Sequence, residues 1–269
     1  MDLSNSIIKE NNYNDEFGYL SFRVLDDLGI FNGVTTRVGG NDFKVNGLFK
    51  DNGENKKRSY ERLYKYTEFP KEKVTSVYQS HTDRVAISTI PGEYFKDYDA
   101  IITNKKGMLL KVSVADCTPV FIYDKKTNAI GDIHSGWRGT VKRITEKTAR
   151  LMNETYGSKY EDMIVCIGPC IGKDHFEVQD DVKEIFENEF KELKLEDFIV
   201  NKGLDENGVQ KYLIDTSYVI KMNMINLGVK ENNIYISDIC TVCHVDKIHS
   251  HRGDAEVDGR NVALIGFKE

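Results

Sequence analysis

Three residues of this chain have side chains that could bind a soft metal ion, and each lies in a compact, unusual peptide. They are His81 in QSHTDRV, Cys117 in VSVADCTPVFIYD and His134 in AIGDIHSGWRGT. Around Cys117 and His134 an apolar, β-branched run breaks into polar residues, which is where a strand end projects side chains into a cleft. Two neutral imidazoles and a thiolate suit zinc, and three protein ligands leave a fourth position open. The alternative is a surface His81 and a buried Cys117 thiol.

The glycine-rich turn after His134 could bind an anion beside these ligands. Two glycines flank Trp137 and Arg138, and the pattern predicts that a helix starts near Thr140. Such a turn exposes backbone N–H groups, which attract an anion together with the positive end of the helix dipole and the Arg138 guanidinium. The competing interpretation is an ordinary strand-to-helix turn with Arg138 as a surface charge.

The peptide CTVCH, from Cys240 to His244, matches the C-x-x-C-H pattern of covalent haem attachment. Haem attachment generally needs export, and the N-terminal MDLSNSIIKENN has no apolar export signal. A structural zinc site from Cys240, Cys243, His249 and His251 has suitable ligand types, although the two histidines are only two residues apart. A buried thiol pair beside a surface loop is the alternative.

Composition excludes several function classes. The chain has 269 residues, 40% hydrophobic and 30% charged, and no repeat or linker divides it, so one domain over 1–269 is expected. A net charge of −6 without a separate basic block argues against nucleic-acid binding. No apolar run approaches the length of a membrane span. Five cysteines, an odd number without a signal peptide, predict reduced thiols and a cytoplasmic protein.

Short apolar runs alternate with helical patterns, which predicts a mixed α/β fold. Strands are predicted over 34–37, 85–89, 109–114, 120–123, 164–167, 234–236 and 262–267. Helices are predicted over 59–66, 141–156, 181–190 and 216–226. The last helix has Asp215, Thr216 and Ser217 as candidate N-caps, and Gly228 follows it as a suitable C-terminal glycine.

Six peptides, in order along nearly the whole chain, resemble the YfiH-like laccase-domain family, also described as multicopper polyphenol oxidase-like and purine nucleoside phosphorylase-like. They are GVTTRVGG, QSHTDRV, ADCTPVFIYD, HSGWRGT, GPCIGKDHFEV and SHRGDAEVDGR. The resemblance implies a single α/β domain of the α+β type with α/β/β/α layers. It also implies a catalytic zinc site at His81, Cys117 and His134. The implied activity is phosphorolysis of adenosine, inosine, guanosine and methylthioadenosine, together with adenosine deamination.

Five further residues of these peptides are expected to bind substrate or phosphate: Arg37, Gln79, Arg138, His251 and Arg252. Arg37 in TTRVGG is the leading candidate for a phosphate clamp, and Arg138 is a second contributor. The chain departs from the family pattern at Thr82, where glycine is common, and at Gly253, where a second arginine is usual. The expected zinc ligands are unaffected by these departures. The resemblance implies a purine nucleoside and phosphate as partners. The sequence predicts no oligomeric state.

Zinc with an open position lowers the pKa of a bound water toward about 7, which suits attack on the purine C6 in deamination. Phosphorolysis needs instead a clamp for phosphate, stabilisation of an oxocarbenium-like ribose and a donor to the departing base. Three other classes stay open. They are a cysteine hydrolase or amidase with Cys117 as nucleophile and His134 as base, a copper polyphenol oxidase, and a non-enzymatic metal-binding or partner-binding module. Copper is the second choice of metal, because six histidines are too few for type-1 and trinuclear sites.

Overall fold

The structure of the protein, a computed structural model, describes residues 2–44, 53–254 and 256–268. Strands and helices are interleaved along these ranges, which confirms the predicted mixed α/β fold. The strands are β1 Ile8–Tyr13, β2 Phe17–Phe22, β3 Phe31–Thr35, β4 Val74–Tyr78, β5 Val85–Ile87, β6 Tyr94–Lys96, β7 Ala100–Thr103, β8 Leu109–Val114, β9 Thr118–Asp124, β10 Ala129–Ser135, β11 Met163–Ile167, β12 Glu177–Val178, β13 Ile199–Leu204, β14 Gln210–Ile214, β15 Ile234–Ile236 and β16 Asn261–Gly266. The helices are α1 Arg23–Asp27, α2 Glu54–Thr67, α3 Trp137–Val141, α4 Ile144–Tyr156, α5 Asp180–Glu189, α6 Leu195–Phe198 and α7 Thr216–Leu227.

Two large sheets form the centre of the fold. The first has the strand order β1-β2-β3-β16-β8-β4-β6, and the second has the order β15-β11-β9-β10-β7-β5. The sheets pack face to face, because Val112 of the first sheet and Phe121 and Ile130 of the second belong to one buried apolar cluster. Within it the rings of Phe22 and Phe121 meet edge to face, with centroids 6.2 Å apart. The alternation in β8 directs Leu110 and Val112 toward this interface.

Helices cover the outer faces of both sheets. Met152 of α4 and Met224 of α7 pack with Ile122 on the outside of the second sheet. Leu63 of α2 packs with Leu264 on the outside of the first sheet. The layers are therefore α/β/β/α, as the family resemblance implies. A smaller sheet, β12-β14-β13, has its own apolar cluster with α5 and α6.

Local signals predicted many of these elements but not β1, β2, β4, β6, β7 or the strands of the smaller sheet, and one predicted helix is interrupted. The predicted helix over 141–156 is two helices, because Arg143 adopts a left-handed backbone with φ of 59° between α3 and α4. The predicted cap of α7 is confirmed, since the Asp215 carboxylate accepts a hydrogen bond from the Tyr218 N–H at 2.9 Å. Gly228 ends α7 with φ of 111°. No helix in the described ranges is long and apolar enough to cross a membrane.

Strand pairing brings the ends of several strands, with the loops that join them, to one edge of the two sheets. Because β4 and β8 are parallel, the loops after Tyr78 and Val114 leave from the same edge. In the second sheet β9 and β10 are antiparallel, and His134 near the end of β10 lies opposite Pro119 near the start of β9. The loops that contain His81 and Cys117 therefore meet the end of β10.

Candidate active site

The structure brings His81, Cys117 and His134 together. One potential ligand atom from each lies within 4.8 Å of the other two, and Cys117 Sγ is 3.9 Å from His81 Nε2. Nitrogen and sulfur ligands of a tetrahedral zinc ion stand about 3.6 Å apart, as follows from zinc–sulfur and zinc–nitrogen bonds of about 2.3 and 2.1 Å. The donor set and its spacing therefore fit a single metal ion, with a small contraction on binding.

Asp99 contacts two of these candidate ligands, His81 and His134. Its carboxylate accepts hydrogen bonds from the backbone N–H groups of His81 at 3.1 Å and Thr82 at 2.7 Å, and it is 2.8 Å from His134 Nδ1. Because Nδ1 of His134 is engaged by a carboxylate, Nε2 is left to bind a metal. Sequence reasoning missed Asp99, and the only local signal was an acidic residue directly before the apolar run of β7.

The backbone beside Cys117 is held in an uncommon conformation. Asp116 has φ of 76° and His81 has φ of 60°, the left-handed region that non-glycine residues rarely adopt. The buried Asp116 carboxylate compensates by accepting three hydrogen bonds of 2.5–2.6 Å, from Thr241 Oγ1, Ser250 Oγ and the Arg252 N–H. These bonds link the Cys117 loop to the C-terminal peptide that contains His251.

The absence of a side chain at Gly136 leaves room for two of the candidate ligands, His81 and Cys117. A Cβ atom at Gly136 would lie 2.9 Å from His81 Cδ2 and 3.0 Å from Cys117 Sγ. The first distance is shorter than real Cβ contacts and the second is tighter than most of them, so His81 would have to shift and Cys117 would have to give slightly. The first glycine of HSGWRGT therefore has a steric role at the ligand cluster itself.

Cys117 and His134 shift each other's pKa in opposite directions. Burial alone would raise the pKa of the Cys117 thiol, but the charge and hydrogen bond of His134, together with the His81 hydrogen bond, lower it to about 6. Burial alone would lower the pKa of His134, but the Cys117 thiolate and Asp99 raise it to about 9. In the metal-free protein the thiolate and the imidazolium thus stabilise each other, and a thiolate is the form that binds a metal.

A cavity of 590 Å³ opens on one side of the cluster. Its wall includes the aromatic side chains of Trp137 and Phe176, the aliphatic side chain of Val178 and the cations Arg138 and Arg252. We call it the aromatic cavity. The Arg138 guanidinium lies over the Trp137 ring, 4.2 Å from its centroid, and no carboxylate of the described residues pairs with it. Its hydrogen-bond donors are therefore available to a ligand.

A second cavity, of 420 Å³, also borders the cluster. We call it the cationic cavity, because Lys44, Lys111 and Arg260 line it and the described residues of its wall include no acid. Asp258, outside the wall, accepts hydrogen bonds from Lys44 and from Arg260 and is 3.2 Å from His251 Nδ1. Burial would raise the pKa of Asp258, but these contacts hold it well below its usual value. One carboxylate thus holds several cations in place, and the surplus charge is positive.

Four of the five predicted substrate and phosphate residues line one or both of these cavities. Arg138 and Arg252 line the aromatic cavity, Gln79 lines the cationic cavity, and His251 lines both. The Gln79 amide is also paired with the backbone of Ser113, at 2.7 and 2.8 Å. Arg37 lines neither cavity.

The Arg37 guanidinium is instead engaged away from the cluster. It forms an ion pair of 2.8 Å with Asp254 and donates a hydrogen bond of 2.5 Å to the carbonyl of Val245. Sequence reasoning also missed Lys44, Lys111 and Arg260, since no local pattern separates these cations from the many others in the chain.

The structure corrects the second zinc site considered from the sequence. The buried His249 donates from Nε2 to the Asn41 carbonyl at 2.8 Å, and His251 pairs with Asp258, so neither histidine joins Cys240 and Cys243. The imidazole beside these two cysteines belongs to His175. The pairing was not visible in the sequence, because His175 lies 65 residues before Cys240.

The chain is similar to several known proteins in sequence and in structure. The model of the family described as multi-copper polyphenol oxidoreductase laccase matches residues 32–268. A purine nucleoside phosphorylase of Bacteroides thetaiotaomicron is 34% identical over 263 residues, covering 92% of this chain and 94% of that protein. A purine nucleoside phosphorylase of Staphylococcus saprophyticus is 29% identical over 249 residues, covering 87% and 90%. Among solved structures, the hypothetical protein YfiH of Bacillus licheniformis aligns with a TM-score of 0.86 at 21% identity, and YlmD of Geobacillus stearothermophilus with 0.85 at 24%. Each alignment covers 98% of this chain and 100% of the other. The fold described above is shared with both.

Proposed function

Because this chain belongs to the multi-copper polyphenol oxidoreductase laccase family, in which relatives are named purine nucleoside phosphorylase, we propose that it is a zinc-dependent purine nucleoside phosphorylase. Its substrates are adenosine, inosine, guanosine or methylthioadenosine together with phosphate. A phosphate oxygen attacks C1′ of the sugar, the C1′–N9 bond breaks, and its electron pair leaves with the base, which gains a proton. The products are the free base and the sugar 1-phosphate.

One observation carries this proposal: the ligand cluster lies at the boundary between the aromatic and the cationic cavity. His81 and Cys117 line both cavities. A phosphorylase must hold a flat, aromatic base and a multiply charged anion on either side of one sugar carbon. One cavity with aromatic side chains and one whose charged side chains, among the described residues, are all cationic, meeting at one cluster, fit this requirement.

The aromatic cavity suits the nucleoside. Trp137 and Phe176 offer faces on which a purine can stack, and Arg138 offers donors to the departing base. These donors would stabilise the negative charge that develops on the base as the C1′–N9 bond breaks. Asp181 and Glu177 on the same wall are acceptors for sugar hydroxyl groups.

The cationic cavity suits phosphate. Lys111 is almost fully buried, with 7% of its surface exposed, and its Nζ is 3.2 Å from Tyr60 Oη. Arg260 and Lys44 are held by Asp258. Cations fixed in advance stabilise an anion without first having to be ordered. Gln79 and Ser113 add neutral polar atoms to the same wall.

His81, Cys117 and His134 are the residues that would hold zinc. When bound, zinc would supply Lewis-acid chemistry at the boundary of the two cavities. Asp99 would keep His134 in the tautomer that presents Nε2, and it would order the His81 backbone through the N–H that it binds. We also propose adenosine deamination as a second activity of this site, independent of phosphate.

A cysteine hydrolase or amidase is the second candidate, and the Cys117–His134 pair favours it. A thiolate beside an imidazolium, with Asp99 orienting the imidazole, is also how thiol hydrolases activate their nucleophile. A second imidazole from His81 is not needed for that chemistry, whereas it completes a metal-ligand set. The phosphorylase is therefore the preferred proposal.

The two candidates differ in their need for phosphate and metal. We expect zinc-loaded protein to convert inosine to hypoxanthine and ribose 1-phosphate only when phosphate is present, as measured by chromatography. Adenosine should give inosine without phosphate. Cys117→Ser should abolish both reactions, whereas Cys166→Ala should keep them, because Cys166 is a core thiol that lines neither cavity. Hydrolysis of an amide through Cys117 after chelation, with no base released from any of the four nucleosides, would overturn the proposal.

A further inference from the structure

We propose that His175, Cys240 and Cys243 form a second zinc site, separate from the His81–Cys117–His134 cluster. Their potential ligand atoms lie within 4.8 Å of one another. Cys240 Sγ is 3.5 Å from His175 Nδ1, and Cys243 Sγ is 3.8 Å from the same nitrogen. Both distances lie close to the nitrogen–sulfur separation of about 3.6 Å in a tetrahedral zinc site. Two thiolates and an imidazole are the ligands that zinc prefers, so the metal needs little rearrangement.

The backbone around Cys240 is suited to a thiolate. The N–H of Gly172 donates a hydrogen bond to Cys240 Sγ at 3.2 Å. Donors of this kind stabilise a negatively charged sulfur and orient it toward a metal. A Cβ atom at position 172 would lie 3.1 Å from Cys240 Cβ and 3.2 Å from Sγ, so a side chain there would crowd the bond. The hydrogen bond from Gly172 to Cys240 is independent of the distances between the three side chains, and it also favours a metal-bound thiolate.

The site would join two separate loops. His175 belongs to the peptide after β11, and Cys240 and Cys243 belong to the peptide after β15. The two peptides already touch, because the Thr241 N–H donates to the Cys170 carbonyl at 2.9 Å. Cys243 is exposed and His175 and Cys240 are partly exposed, so a metal could enter from solvent and water could take the fourth position.

The His175 loop lines the aromatic cavity, and the loop of Cys240 and Cys243 contacts a residue of its wall. Phe176, next to His175, lines this cavity, and Thr241, next to Cys240, bonds to Asp116 beside the ligand Cys117. Arg252 donates to the His175 carbonyl at 3.3 Å. A metal bound by His175, Cys240 and Cys243 therefore acts as a structural crosslink that positions this wall, and it touches no reacting atom.

The alternative to zinc binding is a disulfide between Cys240 and Cys243. Both thiols are free in the structure. A disulfide would remove the thiolates that zinc needs. The two states differ in metal content and in mass, because disulfide formation removes two hydrogen atoms. The test below separates them without any turnover measurement, so it stands apart from the proposed phosphorylase activity.

The experiment measures zinc per chain in full-length protein purified without oxygen. Cys117→Ala should retain one zinc ion, and Cys117→Ala combined with Cys243→Ser should retain none. Loading both with Co²⁺ should give thiolate charge-transfer bands in the first protein and not in the second. His175→Gln in the Cys117→Ala background gives the same test with both thiols intact, should Cys243→Ser fail to fold. Cys166→Ala in that background is the control and should keep the ion.

Three results would overturn the proposal. One is a Cys117→Ala protein that holds neither zinc nor cobalt. Another is a metal content that does not change when Cys243 or His175 is substituted in that background. The last is an intact-mass measurement that shows two hydrogen atoms missing, with the disulfide mapped to Cys240 and Cys243 in anaerobically purified protein.

Discussion

Asp99 and His134 are joined by a contact of 2.8 Å between the carboxylate and Nδ1, and the same carboxylate accepts the backbone N–H of His81. One fully buried acid therefore positions two of the three candidate metal ligands. Burial would raise the pKa of Asp99, but the hydrogen bonds from His134 and Thr82 outweigh it and keep the pKa below its usual value. The acid is thus ionised when it orients the imidazole.

Asp99→Asn should weaken zinc binding about 10- to 100-fold, because carboxylates that orient a ligand histidine contribute affinity of that order. The measurement is competition with a chelator in a Cys240→Ser/Cys243→Ser background, so that only the first site is followed. Asp97→Asn is the matched control, since Asp97 is a partly exposed acid two residues away whose backbone conformation asparagine tolerates. Equal affinities for the two variants would show that Asp99 does not position the ligands.

Zinc content should depend on Cys117. In the Cys240→Ser/Cys243→Ser background we expect one zinc ion per chain, and adding Cys117→Ala should remove it, because two imidazoles alone bind zinc weakly. Elemental analysis measures both proteins. Zinc that remains after Cys117→Ala in this background would contradict the assignment of the ligands.

Alkylation of the metal-free protein at different pH values tests whether Cys117 is a thiolate near neutral pH. The pKa of Cys117 is lowered to about 6, whereas burial and the neighbouring Cys240 thiol raise the pKa of Cys243. The thiolate is the reactive form, so reaction of Cys117 with iodoacetamide should rise with pH around a midpoint near 6 and be nearly constant above about pH 7. Cys243 should still be accelerating above pH 9. Peptide mapping by mass spectrometry follows the two sites in one sample, and zinc should protect Cys117. A Cys117 midpoint near that of an ordinary thiol would contradict the paired state.

Phosphate binding should depend on the cationic cavity. Arg260→Ala should raise the KM for phosphate about tenfold to a hundredfold, because a hydrogen bond to a charged group contributes about 1.5–3 kcal/mol. Initial rates of inosine phosphorolysis at varied phosphate measure this. Arg150→Ala, an exposed arginine of α4, is the control and should leave the KM unchanged.

Arg37→Ala belongs in the same series, because the sequence predicts Arg37 as the phosphate clamp. A raised phosphate KM would support that prediction despite the ion pair with Asp254. An unchanged KM with a lower Tm would make Arg37 a structural residue of the C-terminal peptide.

Gly136→Ala should reduce zinc affinity by about tenfold or more, because the new methyl group would displace His81 or Cys117 from its position. Gly139→Ala, in the helix that follows Gly136, is the control, since the nearest atom to its Cβ would be Ile144 Cγ2 at 3.3 Å. Chelator competition and Tm measured on both variants separate a ligand effect from loss of folding. Equal zinc affinities would show that the ligands have room to move.

Local patterns in the sequence were sufficient for the fold class and the family, but they predicted only some of the strands and helices. Short apolar runs and helical patterns predicted the mixed α/β fold. The Asp215 cap and the Gly228 terminus of α7 were predicted from single residues, because caps act within one helical turn. The six ordered peptides identified the YfiH-like family, and they contained the three residues that the structure brings together.

Tertiary structure alone revealed which distant residues are partners. Asp99 lies 35 residues before His134, His175 lies 65 before Cys240, and Asp258 lies 214 after Lys44. A zinc site of His249 and His251 with the two cysteines was one interpretation of the sequence, but in the structure both histidines have other partners. Such pairs depend on strand order and on the loops at one edge of two packed sheets. No local signal encodes them, because each is set by the packing of the whole chain rather than by the conformation of its own peptide.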